Sequence, residues 1–173
     1  MDAWLDRTRH EIETAVAGMS PRQLEMAPDG KWSSAQILEH LARAFGSTAK
    51  ALEVQMAQGK SPDRTSPSLR QRIANFVVID LGHLPSGRTA PSMTTPKGND
   101  GANAVSRILE NLERMRVAIG EAERRWGTAK PIATHPILGP LTVSQWRKFH
   151  FVHTRHHMKQ VRERRTLARS ATA

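Results

Sequence analysis

The sequence predicts an all-α protein built on a four-helix bundle, with a long crossover between the second and third main helices. Three observations carry this expectation. Apolar residues recur at spacings of three and four through four long segments. Two of those segments open on matched capping boxes, the serine- or threonine-led starts that satisfy the first free amides of a helix. The stretch between the second and third segments, about 58–101, is rich in Pro, Gly, Ser and Thr at both ends and has no long periodic run.

The first helix is expected over about 2–19, where Trp4/Leu5, Thr8, Ile12, Val16 and Met19 share one face. Ser20-Pro21 then reads as a stop and a short restart, with proline at the first helical position. The second helix starts at Ser33-Ser34-Ala35-Gln36, a capping box with Trp32 and Ile37 as its hydrophobic staple, and its stripe runs to about Ala57. Within the crossover, Leu69, Ile73, Phe76 and Val77 suggest a short extra helix. Phe76-Val77-Val78-Ile79 would also suit a strand, but a lone strand has no partner. The third helix, about 102–126, places Val105, Ile108, Leu112, Met115, Ile119 and Ala122 in the heptad pattern of bundle packing, and Gly127 and Pro131 end it. The fourth opens on Thr142-Val143-Ser144-Gln145, with Leu141 and Trp146 as staple, and carries Trp146, Phe149/His150, His153, His157 and Gln160/Val161 on one face. No internal repeat is present. A length of 173 residues suits one domain, expected over 1–168 with a flexible tail at 169–173.

Composition narrows the chemistry. The chain has no cysteine, which excludes disulfides, cysteine zinc sites and thiol nucleophiles of its own. Any metal must be held by His, Asp or Glu, and any thiol must come from outside. The start has no basic region followed by an apolar run, and no window approaches the eighteen apolar residues of a membrane span, so a cytoplasmic protein with no membrane partner is expected.

Four of the eight histidines fall in His150-Phe151-Val152-His153-Thr154-Arg155-His156-His157. On a helix, His153 and His157 project side by side from one face, so two imidazoles can share one metal ion. A solvated histidine cluster on a basic helix is the ordinary alternative. His156, pointing away from the 153/157 face, suits that alternative; against it, His153 and His157 lie on the stripe of Trp146 and Phe149. Two neighbouring buried imidazoles need partners, because each unsatisfied buried polar group costs about 1–3 kcal/mol. His40 lies on the inward side of the second helix, between Ile37 and Ala44. Alone it would be a hydrogen-bonded core histidine; where the second and fourth helices adjoin, it can supply a third imidazole. Three histidine ligands with an open position describe a catalytic rather than a structural site.

The combination Trp32-Ser33-x-x-x-Ile37-Leu38-x-His40-Leu41, a long crossover and His153-x-x-His156-His157-x-x-Gln160 resembles the DinB-like superfamily of metal-binding four-helix bundles, also called YfiT-like. The stretch His135-Pro136-Ile137-Leu138-Gly139-Pro140-Leu141-Thr142 resembles one of its uncharacterised bacterial branches. The resemblance implies an up-down-down-up bundle with a divalent metal, often zinc or nickel, on three histidines, here His40, His153 and His157. It also implies a choice of activities: thiol-dependent S-transferases and isomerases using bacillithiol, mycothiol or glutathione, or metal-dependent hydrolases. A homodimer fits the resemblance and the apolar surface of such bundles.

The expected function is therefore metal-dependent activation of a low-molecular-weight thiol or of water for attack on a small electrophile. Three neutral ligands leave a dication its full charge, which lowers the pKa of a bound water or thiol. Gln160 shares the face of His153 and His157 and is expected to orient a ligand. His150 is either a proton shuttle or, preferably, a residue at the core edge; His135 and Trp32 are expected near the pocket. Glu39 and Arg43 read as solvated, and the loop around Arg88, Pro91 and Thr94/Thr95 as either a pocket cover or a plain connection. His10 and His83 have no constellation around them. The alternatives are a non-catalytic metal-binding bundle and a basic module for nucleic acid or an acidic partner. The formal charge of +10 invites the latter, but +7 of it lies in residues 145–173, where the aromatic residues belong to the core or its margin. Its expected uses are solvation of that helix and attraction of an anionic substrate or thiol.

Overall fold

The structure, a computed structural model, describes residues 2–59, 66–85, 87 and 90–170, the side chains of 169 and 170 excepted. Its elements in order are α1 (Ala3–Val16), α2 (Pro21–Glu25), α3 (Ser34–Ala57), α4 (Leu69–Asn75) running into a π-helical turn at Phe76–Asp80, α5 (Ala104–Trp126), the strands β1 (Pro131–His135) and β2 (Gly139–Thr142), and α6 (Val143–Ser170). The all-α bundle expected from periodicity is what forms, with α1, α3, α5 and α6 as its four long members.

Cross-helix pairs give the directions. Glu53 meets Arg114 and the Met56 carbonyl meets Arg125, so α3 and α5 run parallel. Asp2 meets Arg147 and Glu11 meets Arg162, so α1 and α6 also run parallel. Between these pairs the sense reverses: Asp6 meets Arg116 while Arg9 meets Glu113, and the Trp32 carbonyl meets Arg164 while Thr48 meets His150. That is an up-down-down-up bundle, and the parallel α3–α5 pair is why the connection between them must cross the molecule.

The core is the set of stripes that periodicity defines. Leu5 and Ile12 of α1, Ile37, Leu41, Phe45 and Leu52 of α3, and Ile108, Leu112, Met115 and Ile119 of α5 are fully buried, each contributing about 1.5–3 kcal/mol of transfer free energy. Both anticipated capping boxes form. Ser33 accepts from the Gln36 amide while Gln36 accepts from the Ser33 amide, and Thr142 and Gln145 reciprocate in the same way. Two more form at Ser20 and Ser68.

Three details depart from expectation. First, α1 stops at Val16 rather than near 19, because Gly18 turns the chain at φ +72 and Pro21 starts α2. Second, residues 131–142 form an antiparallel hairpin, with His135 opposite Gly139 and Gly139 at φ +78. That glycine closes the short loop in a conformation L residues rarely adopt. Third, Leu69, Ile73 and Phe76 mark a helix as expected but remain exposed, and it is Val78 and Ile79 in the π-helical turn that are buried. The strand alternative for 76–79 does not form. At the C-terminus α6 continues to Ser170, and residues 171–173 lie outside the described set. No helix among the described residues is long and apolar enough to cross a membrane.

Candidate metal centre

Antiparallel packing of α3 against α6 sets His40 opposite His153. The four-residue repeat of α6 adds His157 one turn further on. The result is a triangle of imidazoles, with ring centroids 5.1 Å (His40–His153), 4.8 Å (His40–His157) and 4.9 Å (His153–His157) apart. One ligand nitrogen from each ring lies within 4.8 Å of the others, so the three together could hold a metal ion.

Their hydrogen bonds set the protonation state. The Thr94 carbonyl accepts from Nδ1 of His40 at 2.9 Å, and Oε1 of Gln160 accepts from Nδ1 of His157 at 3.0 Å. A carbonyl oxygen can only accept, so both rings carry their proton on Nδ1 and present the Nε2 lone pair inward. Nε2 of His40 lies 3.1 Å from Nε2 of His153. The His40 lone pair at that distance is met either by an Nε2–H of His153 or by a cation that the two nitrogens share, so the donor set fits a metal. Nδ1 of His153 is buried without a partner among the described residues.

Burial keeps all three rings neutral. Desolvation holds His40 below the usual histidine value against the opposing pull of the Thr94 carbonyl, and lowers His157 to about 3, with the neighbouring His40 adding to the effect. His153 is pushed far down, first by desolvation and then by the adjacent His157 and His40. Neutral imidazole is the metal-binding form, so no proton has to be displaced at neutral pH.

The remaining expected site residues divide. Gln160 holds His157, and the Trp32 ring packs 5.3 Å from His40. His150 turns the other way. It is 1% exposed, bonds the Thr48 hydroxyl at 3.1 Å and stacks on Trp146, so it is a core residue. Burial lowers it to about 3. His135 caps the hairpin loop, Nδ1 accepting from the Ile137 and Leu138 amides, with Phe149 between its ring and that of His153. Neither touches the triangle.

The crossover supplies what sequence reasoning missed. Residues 93–101 form a strap along the N-terminal half of α3. Arg43 donates to the Met93 carbonyl at 3.1 Å, the Glu39 carboxylate accepts from the Lys97 and Gly98 amides at 3.0 Å each, and the Ser33 hydroxyl donates to Asn99. Glu39 and Arg43, read as solvated, thus pin the segment whose Thr94 carbonyl orients His40. Gly101 seats the strap's far end, where a Cβ would stand 2.2 Å from the Pro21 carbonyl oxygen. Pro91, at its near end, accepts from the Thr94 and Thr95 hydroxyls; Arg88 lies outside the described residues. The hints in the sequence were the loop around Pro91 and Thr94/Thr95, open to a reading as a pocket cover, and Glu39 and Arg43, one residue and three residues from His40.

Two open grooves lie elsewhere. One, about 570 Å³, runs between α3 and α5 past Glu53, Glu110 and Val117; the other, about 630 Å³, passes Arg72, Phe76 and Lys130. Neither contains a histidine of the triangle.

The basic residues of α6 are mostly engaged. Arg147 pairs with Asp2 and Glu123, Arg162 with Glu11, and Arg165 donates to the Thr14 carbonyl. Arg155 lies over Phe151 and Lys148 over Trp4.

No curated protein and no solved structure matches the chain. A family model does, over residues 5–164, a span that takes in all three histidines, Gln160 and the strap. The chain therefore belongs to the family described as Protein of unknown function (DUF1569).

Proposed function

We propose that His40, His153 and His157 hold a divalent metal ion, zinc or nickel, and that the protein uses it to activate a low-molecular-weight thiol or water for attack on a small electrophile. The observation that carries this reading is the pair of Nδ1–H bonds, to Thr94 and Gln160, that fix two inward-facing Nε2 atoms beside a third. The bundle, its up-down-down-up order and the position of these histidines support placing the family among the DinB-like bundles.

When bound, a divalent ion on three uncharged ligands supplies Lewis acidity, lowering the pKa of a coordinated thiol or water toward neutrality. The chain's own residues do the rest. Thr94 and Gln160 hold two imidazoles in the ligating tautomer. Phe149, stacked on His153, and Trp32, against His40, keep the ligand side dry. His157 is partly exposed and marks the side from which a substrate approaches. With no cysteine in the chain, a transferred sulfur has to arrive on a free thiol.

Zinc- or nickel-loaded protein, incubated with bacillithiol, mycothiol or glutathione and a panel of electrophiles, tests the assignment. Thiol-dependent conjugation abolished in His157→Ala supports the transferase form, and thiol-independent ester or amide turnover abolished in the same variant supports the hydrolase form. A non-catalytic metal-binding bundle is the second reading; no turnover with a full metal complement would establish it. The basic-module reading has less support, because most of the described cations of α6 are engaged by carboxylates, carbonyls and rings of the same chain.

A further inference from the structure

One cation beside the triangle has no ion-pair partner among the described residues. Arg164 of α6 is 8% exposed, donates from Nε to the Trp32 carbonyl at 2.6 Å and from Nη1 to the Gln160 carbonyl at 2.8 Å. No carboxylate of the described residues is within ion-pair distance of it, whereas on the same helix Arg147 has two and Arg162 has one. Glu163, its exposed neighbour in sequence, acts on it through space and partly offsets the effect of burial, but makes no ion pair with it among the described residues. Carbonyl oxygens satisfy hydrogen-bonding needs but do not neutralise charge, and a guanidinium has five N–H donors, of which these two bonds use only part. A buried cation without an ion-pair partner is costly, and burial lowers the Arg164 pKa against the weaker opposing pull of Glu163.

Its two carbonyl partners locate it. Trp32 is the residue whose ring lies against His40, and Gln160 is the residue that holds His157. The positive charge of Arg164 is felt at His157 itself. The triangle contributes no negative charge, so an ion bound there would add to the field of Arg164 rather than offset it. The neutralising group has to come with the ligand.

We propose that Arg164 is the anchor for a carboxylate on the molecule that occupies the three-histidine site, so that the site takes small anionic thiols or electrophiles in preference to neutral ones. This rests on the metal-centre reading. The planar fork of arginine matches a carboxylate, and a charge-assisted bond in a desolvated setting discriminates by about tenfold or more.

The test is calorimetric titration of zinc-loaded protein with 3-mercaptopropionate and with its neutral methyl ester, zinc content being measured in the same samples. Wild type should bind the acid at least about tenfold more tightly than the ester. Arg164→Gln should lose that preference while holding the ester as before. A merely structural role, in which Arg164 only ties Trp32 to Gln160, would instead weaken both ligands equally. Equal affinities for acid and ester in wild type overturn the proposal without recourse to any variant, as does a preference that survives in Arg164→Gln. Propionate should compete with the acid better than inorganic phosphate does; the reverse order overturns the carboxylate assignment. Protein that retains no zinc refutes the metal centre instead, and the two failures are distinguishable.

Discussion

Gln160 offers a direct handle on the tautomer argument. Gln160→Leu removes the Oε1 acceptor 3.0 Å from Nδ1 of His157 and leaves the backbone carbonyl that receives Arg164. A buried donor left without its acceptor costs about 1–3 kcal/mol. Because His157 is partly exposed, the lower part of that range applies, about 1–2 kcal/mol, which is roughly 5- to 30-fold in metal affinity. This agrees with the 10- to 100-fold scale of partners that orient metal-binding histidines. Competition against a chromophoric chelator at neutral pH measures the effect, and circular dichroism melts of the metal-free proteins establish that both fold alike. Gln160→Glu keeps an acceptor and should bind metal at least as tightly as wild type. A Gln160→Leu protein that folds normally and binds metal within about twofold of wild type would refute the reasoning.

Three further outcomes are expected. Glu39→Gln exchanges one oxygen that accepts from the strap for a donor, and should cost about 1–2 kcal/mol in urea titrations and raise amide exchange at Lys97 and Gly98; unchanged protection there would argue against the strap. Gly101→Ala drives a Cβ onto the Pro21 carbonyl, and since both are backbone-constrained the loss should be about 1–3 kcal/mol or more; a variant as stable as wild type would show that the strap does not lie so close to α2. The metal-free protein should lose stability as pH falls below about 6.5, where the unfolded chain takes up protons that the folded one refuses. His150, held to about 3, and His135, held to about 4, are each neutral when folded across that window. Each therefore lowers stability by up to about 1.4 kcal/mol per pH unit until its folded value is reached, with full stability above 6.5. Urea midpoints that stay flat from pH 7 to 4 would contradict this.

What the sequence made legible, and what it hid, follows from the range of the interactions involved. The caps at Ser33 and Thr142 are encoded within four residues, and the stripe Ile108–Leu112–Met115–Ile119 within one helix face, so both read off directly. The His153–His157 pair has the same local origin. His40 needed the assumption that α3 and α6 adjoin, which the antiparallel pairing supports. The hairpin at 131–142 escaped notice because its strands are only five and four residues long and contain Pro131 and Pro140, residues that ordinarily argue against a strand. The strap escaped for a different reason. Its bonds to α3 join residues fifty or more positions apart, and Glu39 facing a backbone amide looks, in sequence, the same as Glu39 facing water. His150 shows the limit of face arguments. It shares a helix side with His153, and of the two readings open for it the preferred one, a residue at the core edge, is the one that its contacts with Thr48 and Trp146 support.

The measurement that bears most directly on the central claim is the metal content of the purified protein, expressed or refolded with zinc and nickel, set beside His40→Ala, His153→Ala and His157→Ala. One divalent ion per chain in wild type, lost or greatly weakened in each variant with the helical fold retained, is the expected result. Wild-type protein without stoichiometric metal, or metal that persists undiminished in all three variants, would contradict the account.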